Sequence, residues 1–188
     1  MNILLIAIGS LIILAIIVAV IYNRYVKLKN LNEEGFHEIG ICLQKRLDLI
    51  PGLINVVKGY ALHEKETLEN VIKLRSQMEI IDKKNIDNIE KIKKIENETE
   101  KTLKSIMILQ ENYPDLKANE NFLKLQTQLM QIETEIQRSR RYYNGTARDR
   151  NTFVETFPNN FIGKILGFKK SKFLEITDKA EKTPEIKF

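Results

Sequence analysis

Residues 119–157 read NENFLKLQTQLMQIETEIQRSRRYYNGTARDRNTFVETF. Within them Phe122, Leu125, Leu129, Ile132, Ile136, Ser139, Tyr143 and Thr146 recur at steps that alternate between three and four. This is the heptad spacing of helices that pack nearly parallel with a left-handed twist. Asn119 is a good N-cap, and Pro158 pushes its predecessor out of the helical region. One helix of about 60 Å is predicted between them, with Asn159 and Asn160 continuing the turn. A helix with a single apolar stripe must bury it against other elements, so the rest of the chain is read for partners.

Glu111 to Asn119 is the clearest linker, with Pro114 ending helical continuation. Before it, Ile89, Ile92, Ile95, Thr99, Leu103, Ile106 and Leu109 form a second stripe. Lys83 to Lys104 holds seven lysines and five acids, which reads as a solvated helix face rather than a binding tract. A weaker stripe covers Leu68, Val71, Ile72, Arg75 and Met78. The first stripe runs Phe36, Ile39, Leu43, Leu47, Ile50, Ile54, Val57 and Ala61, and Pro51 interrupts it. Its neighbours Leu49, Ile50, Leu53 and Ile54 are not loop-like, so a kink or tight helix junction in the core is expected there. No alternating strand pattern bounded by turn pairs is present.

Residues 3–22 read ILLIAIGSLIILAIIVAVIY. These twenty residues, with Ser10 the one clearly polar side chain before Tyr22, span about 30 Å at 1.5 Å each, the thickness of bilayer hydrocarbon. A cleaved signal peptide wants a basic start, a shorter apolar run and a small-residue cleavage site, none of which is present, so a retained anchor is expected. Arg24, Lys27 and Lys29 follow the run and no charge precedes it, which places the N-terminus outside and the rest in the cytosol. The single cysteine, Cys42, gives no sign of an oxidising compartment. Tyr22 and Tyr25 suit the aromatic belt.

The net charge of +5 is unevenly placed. Residues 138–188 hold 12 basic and 6 acidic side chains, and residues 1–137 hold 18 and 19. In the basic end Lys164, Lys169, Lys170 and Lys172 are interleaved with Phe161, Ile165, Phe168 and Phe173. Lys164, Phe168, Lys169, Lys170, Lys172 and Phe173 are therefore candidates for contact with lipid or a partner. Docking of Phe161–Phe168 on the bundle is the first expectation, lipid contact the second. Nucleic acid is not expected as a partner, since no recognised binding motif accompanies the charge. The last residues, from Lys179, are expected to fray.

Polar residues also sit beside the stripes. Arg46 and Asp48 flank the first, Glu64 and Arg75 the next, and Glu133, Arg140, Asn144 and Asn151 recur at steps of seven, four and seven. Together they form a candidate polar seam. An interhelical network that fixes register is the favoured reading, and a partner groove the alternative. Chemistry finds little support. A di-iron bundle needs two Glu-x-x-His motifs, and Glu34–His37 supplies one, while position 60, three before His63, is Tyr. Position 41 is Ile where a zinc-protease motif starting at His37 needs histidine. His37 and Cys42 are five apart and so on different helix faces. No catalytic residue, metal or cofactor is expected, nor an enzyme.

Several segments carry a resemblance. Tyr22-Asn23, Leu43-Gln-Lys-Arg-Leu-Asp-Leu-Ile-Pro-Gly-Leu53, Val57-Lys-Gly-Tyr-Ala61, Glu64 and Arg75 resemble the first half of the LemA family. Glu111-Asn-Tyr-Pro-Asp-Leu-Lys-Ala-Asn-Glu-Asn-Phe122, Leu125-Gln126, Leu129, Glu133, Ile136, Arg140, Tyr143-Asn144, Asn151, Phe157-Pro158, Gly167-Phe168 and Phe173 resemble the second. Gly52, where the family often has Asn, and Gly145, inside the last helix, depart from it. The resemblance implies a bacterial protein with one N-terminal membrane helix and a cytosolic four-helix bundle, in which the Pro51 junction separates two helices. It also implies poorly defined biochemistry, with one branch serving magnetosome membrane formation.

The expectation is thus an all-α protein: an anchor over 1–23, an antiparallel four-helix bundle over 24–168, and a basic, partly flexible tail over 169–188. It is read as a non-enzymatic scaffold or adaptor at the bacterial inner membrane, with an unidentified protein partner. Membrane organisation by self-assembly, as a homo-oligomer, is the alternative.

Overall fold

The computed structural model describes residues 2–60, 73, 76 and 89–174. Every element among them is helical: α1 (Asn2–Lys58), α2 (Ile89–Asn112), α3 (Pro114–Lys117), α4 (Glu120–Glu155) and α5 (Asn159–Leu166). The chain groups into two compact units, residues 29–142 and residues 1–28 with 143–188.

In unit 29–142 the predicted stripes are the core. Phe36, Ile39, Leu43, Leu47, Ile50, Ile54 and Val57 of α1 are all buried, as are Ile89, Ile92, Ile95, Leu103 and Ile106 of α2 and Phe122 and Ile136 of α4. Thr99 replaces an apolar residue in the α2 stripe without leaving its hydroxyl unpaired, because it donates to the Ile95 carbonyl at 2.7 Å. Pro51 does not divide two helices: α1 continues through it to Lys58. Proline removes one backbone donor, but Ile50, Leu53 and Ile54 around it are 0–2% exposed, and their packing outweighs the lost bond. At Gly52 a side chain would begin 3.4 Å from Leu125 Cδ2, so the missing Cβ lets α1 and α4 approach closely.

The linker before α4 contains a single helical turn, α3, with Pro114 at its start and Leu116 fully buried beneath it. Asn119 then caps α4, its Oδ1 accepting from the Phe122 amide at 3.1 Å.

In the other unit, the first part of α1 is long and apolar enough to cross a membrane, and none of that apolar window is buried. Burial begins at Ile21, Tyr25 and Leu28. Tyr25 meets Arg150 of α4 and Phe168 and Lys169 after α5, and Tyr143 and Ala147 of α4 are buried in the same unit. Asn159 and Asn160, expected in a turn, instead open α5. Gly167 closes it in the left-handed region, φ 73°, with the Phe168 amide donating to the Gly163 carbonyl at 2.8 Å. Residues 168–174 then run without regular structure, and Ser171 and Leu174 are buried.

Candidate functional site

The candidate polar residues gather into two constellations, one in each unit. In unit 29–142, Arg46 is 4% exposed on α1. Its Nη1 donates to Glu133 Oε2 of α4 at 3.1 Å, and its Nη2 lies 3.9 Å from Glu96 Oε1 of α2. Arg140 of α4 hydrogen-bonds the same Glu96 oxygen. Two guanidinium groups thus share one nearly buried carboxylate, and the half-exposed Glu133 supplies the fourth charge. The set is neutral, which is what allows it into the core. Among the described residues Arg46 Nε and Nη2 have no hydrogen-bond partner, so the guanidinium is held more by charge than by a full set of bonds.

Asp48, two positions on from Arg46 and so on a different face, is exposed and accepts from Gln44 Nε2 at 3.2 Å. Glu64 and Arg75 lie outside the described residues. Glu96 is the member the sequence reading missed. Its signal was faint: one acid directly beside Ile95 on a helix rich in lysine and glutamate.

Cys42 is buried next to Ser139, Sγ to Oγ 3.6 Å, with Glu38 Oε1 at 3.9 Å. Burial pushes its thiol above the ordinary range, the hydrogen bond from Ser139 offsets this in part, and Glu38 adds to it. That is the opposite of an activated nucleophile. Nearby, the hydrogen bond and charge of Glu135, 3.1 Å away, raise Lys45.

The second constellation is a clasp on the segment after α5. Asn144 and Asn151, read as one seam with Glu133 and Arg140, have a separate role. The Asn144 side-chain amide accepts from the Leu174 N–H at 2.9 Å and donates to the Leu174 carbonyl at 2.8 Å. Asn151 does the same to Ser171, at 2.7 and 3.0 Å. Each side chain offers one residue a donor and an acceptor together, as a neighbouring β-strand would. The Tyr143 hydroxyl donates to the Lys172 carbonyl at 2.7 Å, and burial raises its pKa.

Tyr25 completes the clasp. Its hydroxyl accepts from Arg150 Nη2 and from the Lys169 amide, both at 3.0 Å, and Arg150 Nη1 donates to Ser171 Oγ at 3.2 Å. The Tyr25 ring stacks on Phe168 at 3.9 Å and 6°. Phe168 in turn lies where Gly163 has no side chain, since a Cβ there would meet its Cδ2 at 2.8 Å. Of the two tyrosines near the end of the apolar run, Tyr25 is 8% exposed and Tyr22 49% exposed.

The basic, phenylalanine-bearing candidates therefore divide. Phe168 is docked, as the first of the two expectations for Phe161–Phe168 had it. Lys164, Lys169, Lys170, Lys172 and Phe173 are exposed, and Lys170 pairs with Glu155. Phe161 and Ile165, expected to dock, are 67% and 73% exposed. Beside the clasp an open groove of about 520 Å³ is lined by Arg24 and Leu28 of α1 and by Arg148, Asp149, Thr152, Phe153 and Thr156 of α4.

A curated relative, Protein LemA of Metamycoplasma hominis, is 27% identical over 123 residues, covering 65% of this chain and 54% of the relative. The chain thus spans about half the length of that relative. The profile of the LemA family matches residues 35–188, which include the charge network and the α4 side of the clasp. On that match the chain belongs to the LemA family.

Proposed function

We propose that this protein is a single-pass, non-enzymatic scaffold or adaptor of the bacterial inner membrane, with its N-terminus outside and its helical unit in the cytosol. The observation that carries the reading is the continuity of α1. An apolar segment with none of its surface covered passes into a helix whose next turns are packed, with no break between them. A buried core helix would be covered, and an exposed one of that length in water would aggregate. Arg24, Lys27 and Lys29 set the orientation.

The helical unit is read as an antiparallel four-helix bundle with coiled-coil-like packing. In support, contacts between α1 and α4 pair Cys42 with Ser139, Arg46 with Glu133 and Gly52 with Leu125, and Tyr60 just past α1 meets Asn119 at the cap of α4, so one number falls as the other rises. The heptad positions Phe122, Ile136, Ser139 and Tyr143 are buried.

Two measurements test the reading. A C-terminal tag is expected to resist protease added to the outer face of intact cells stripped of their wall, and cleavage there would overturn the topology. Crosslinking in cells is expected to trap one heterologous partner in constant proportion. A ladder of the chain with itself would replace the adaptor by self-assembly.

A further inference from the structure

We propose that the exposed apolar ridge of Phe157, Phe161 and Ile165 lies in the headgroup layer of the bilayer. This would give the protein a second membrane contact beside its span, and it rests on the reading that residues 3–22 cross the membrane. The ridge is unusual first for its exposure. Phe157, Phe161 and Ile165 are 85%, 67% and 73% exposed, successive members are four residues apart, and Phe173 nearby is 54% exposed. Phe161 and Ile165 share one face of α5 and Phe157 lies in the turn just before it. Scattered surface hydrophobics are ordinary, but large ones gathered like this mark an interaction surface.

The position of α5 identifies the occupant. Phe168, next after its closing Gly167, stacks on Tyr25 and lies 6.4 Å, ring to ring, from Tyr22. Tyr22 is the last residue of the apolar run, so α5 is tied to α1 at the level where the hydrocarbon ends. Eight residues of helix extend about 12 Å, and interfacial helices bury their apolar face by about 5–10 Å. The tie is rigid, because Phe168 is held between Tyr25 and the bare backbone of Gly163, and the Lys169 amide is bonded to Tyr25.

Charge separates lipid from a second copy of the chain. Residues 156–174 contain Lys164, Lys169, Lys170 and Lys172 and no acid; Glu155 offsets Lys170, which leaves a surplus of three positive charges. Arg24, two residues past Tyr22, adds to the same region. Two such surfaces brought face to face would repel, whereas anionic headgroups attract them.

The sequence contains no tryptophan, so one introduced residue reports alone. Full-length Phe161→Trp and Leu14→Trp variants are reconstituted separately into vesicles of three parts phosphatidylcholine to one part phosphatidylglycerol. Fluorescence quenching is read with lipid brominated on the acyl chain and with aqueous acrylamide. Both tryptophans are expected to lose fluorescence to brominated lipid and to resist acrylamide. Ile165→Trp repeats the reading on the same face, and circular dichroism verifies that each chain is helical. If Leu14→Trp is quenched by brominated lipid while Phe161→Trp and Ile165→Trp are reached by acrylamide alone, the ridge is not in the bilayer although the span is. If Leu14→Trp itself escapes the brominated lipid, the span reading fails and takes this inference with it. Shielding of Phe161→Trp from both quenchers would mean that protein covers the ridge, and would overturn lipid as the occupant. Quenching of Phe161→Trp is expected to weaken without phosphatidylglycerol. Equal quenching would overturn the part assigned to the lysines.

Discussion

Asn144→Asp keeps the size and shape of the side chain and reverses one half of its clasp. The retained Oδ1 still accepts from the Leu174 amide, at 2.9 Å in the native chain. The other atom, a donor 2.8 Å from the Leu174 carbonyl, becomes an acceptor facing an acceptor. A part-buried carbonyl left without its donor costs about 1–3 kcal/mol. Taking about 2 kcal/mol, the equilibrium for local release of the segment rises roughly 30-fold, since each 1.4 kcal/mol is tenfold. Hydrogen exchange on the full chain in detergent, expressed as protection of the Leu174 amide, reads this directly. The pH dependence has a defined sign. The ionised carboxyl is penalised in the clasp and the protonated one can donate to the carbonyl, so its pKa in the folded chain is raised above the ordinary value of about 3.9. The destabilisation is therefore full above the raised pKa and disappears as pH falls below the ordinary one. Unchanged protection in mild alkali would refute the role of Asn144. A loss as large in mild acid would refute the carbonyl contact as its cause.

Three further outcomes follow from the geometry. Glu96→Ala leaves Arg46 and Arg140 facing each other without their shared carboxylate, and is expected to cost about 3–5 kcal/mol in thermal melting. Glu133→Ala, at a side chain 48% exposed, should cost less than about 1 kcal/mol, and equal losses would show that the network is not centred on Glu96. Cys42 is expected to resist alkylation in the native chain in mild alkali and to react fully once the chain is unfolded. Because its pKa is raised by burial, ionisation favours the unfolded state and stability falls as pH rises above the ordinary thiol range, so fast native labelling would contradict the burial. Gly163→Ala would ordinarily strengthen a helix by about 1 kcal/mol, but here the new Cβ meets Phe168 at 2.8 Å. Overpacking of about 1–3 kcal/mol should win and weaken the tyrosine signal in near-ultraviolet circular dichroism, and a raised melting temperature would show that Phe168 moves aside freely.

The helical stripes were legible because burial along a helix leaves a period in the sequence. Phe36 to Val57 and Phe122 to Tyr143 were named as core from spacing, and the structure buries Phe36, Val57, Phe122 and Tyr143 among them. At Pro51 the apolar neighbours Ile50, Leu53 and Ile54 pointed to the core and are buried there, but the residue letters left a kinked helix and a junction of two helices both open, and α1 runs on through the proline. Asn144 and Asn151 were noticed for their step of seven, which reports that they share a face. Spacing says nothing of what that face meets. Their partners are the backbone groups of Ser171 and Leu174, which every residue possesses and which leave no mark in the residue letters. Arg150 was legible as a charge and illegible as a buried one, for the same reason. Its neutral neighbours, Tyr25 and Ser171, are far away in sequence and carry no charge to signal the pairing.

This difference bears on which residues suit a test of function. The Arg46–Glu96–Arg140 set and the asparagine clasp both spend their polar groups on the chain itself, so substituting them changes stability before it changes any partner. Phe157, Phe161 and Ile165 are the reverse: highly exposed, and costly to keep in water. A polar substitution on that ridge should leave the fold unchanged or more soluble. If Phe161→Ser lowers the melting temperature of the detergent-free, vesicle-bound protein but not of the protein in micelles, the stabilising contact of that side chain is with the bilayer. Equal loss in both would place Phe161 in the protein's own packing, against its exposure.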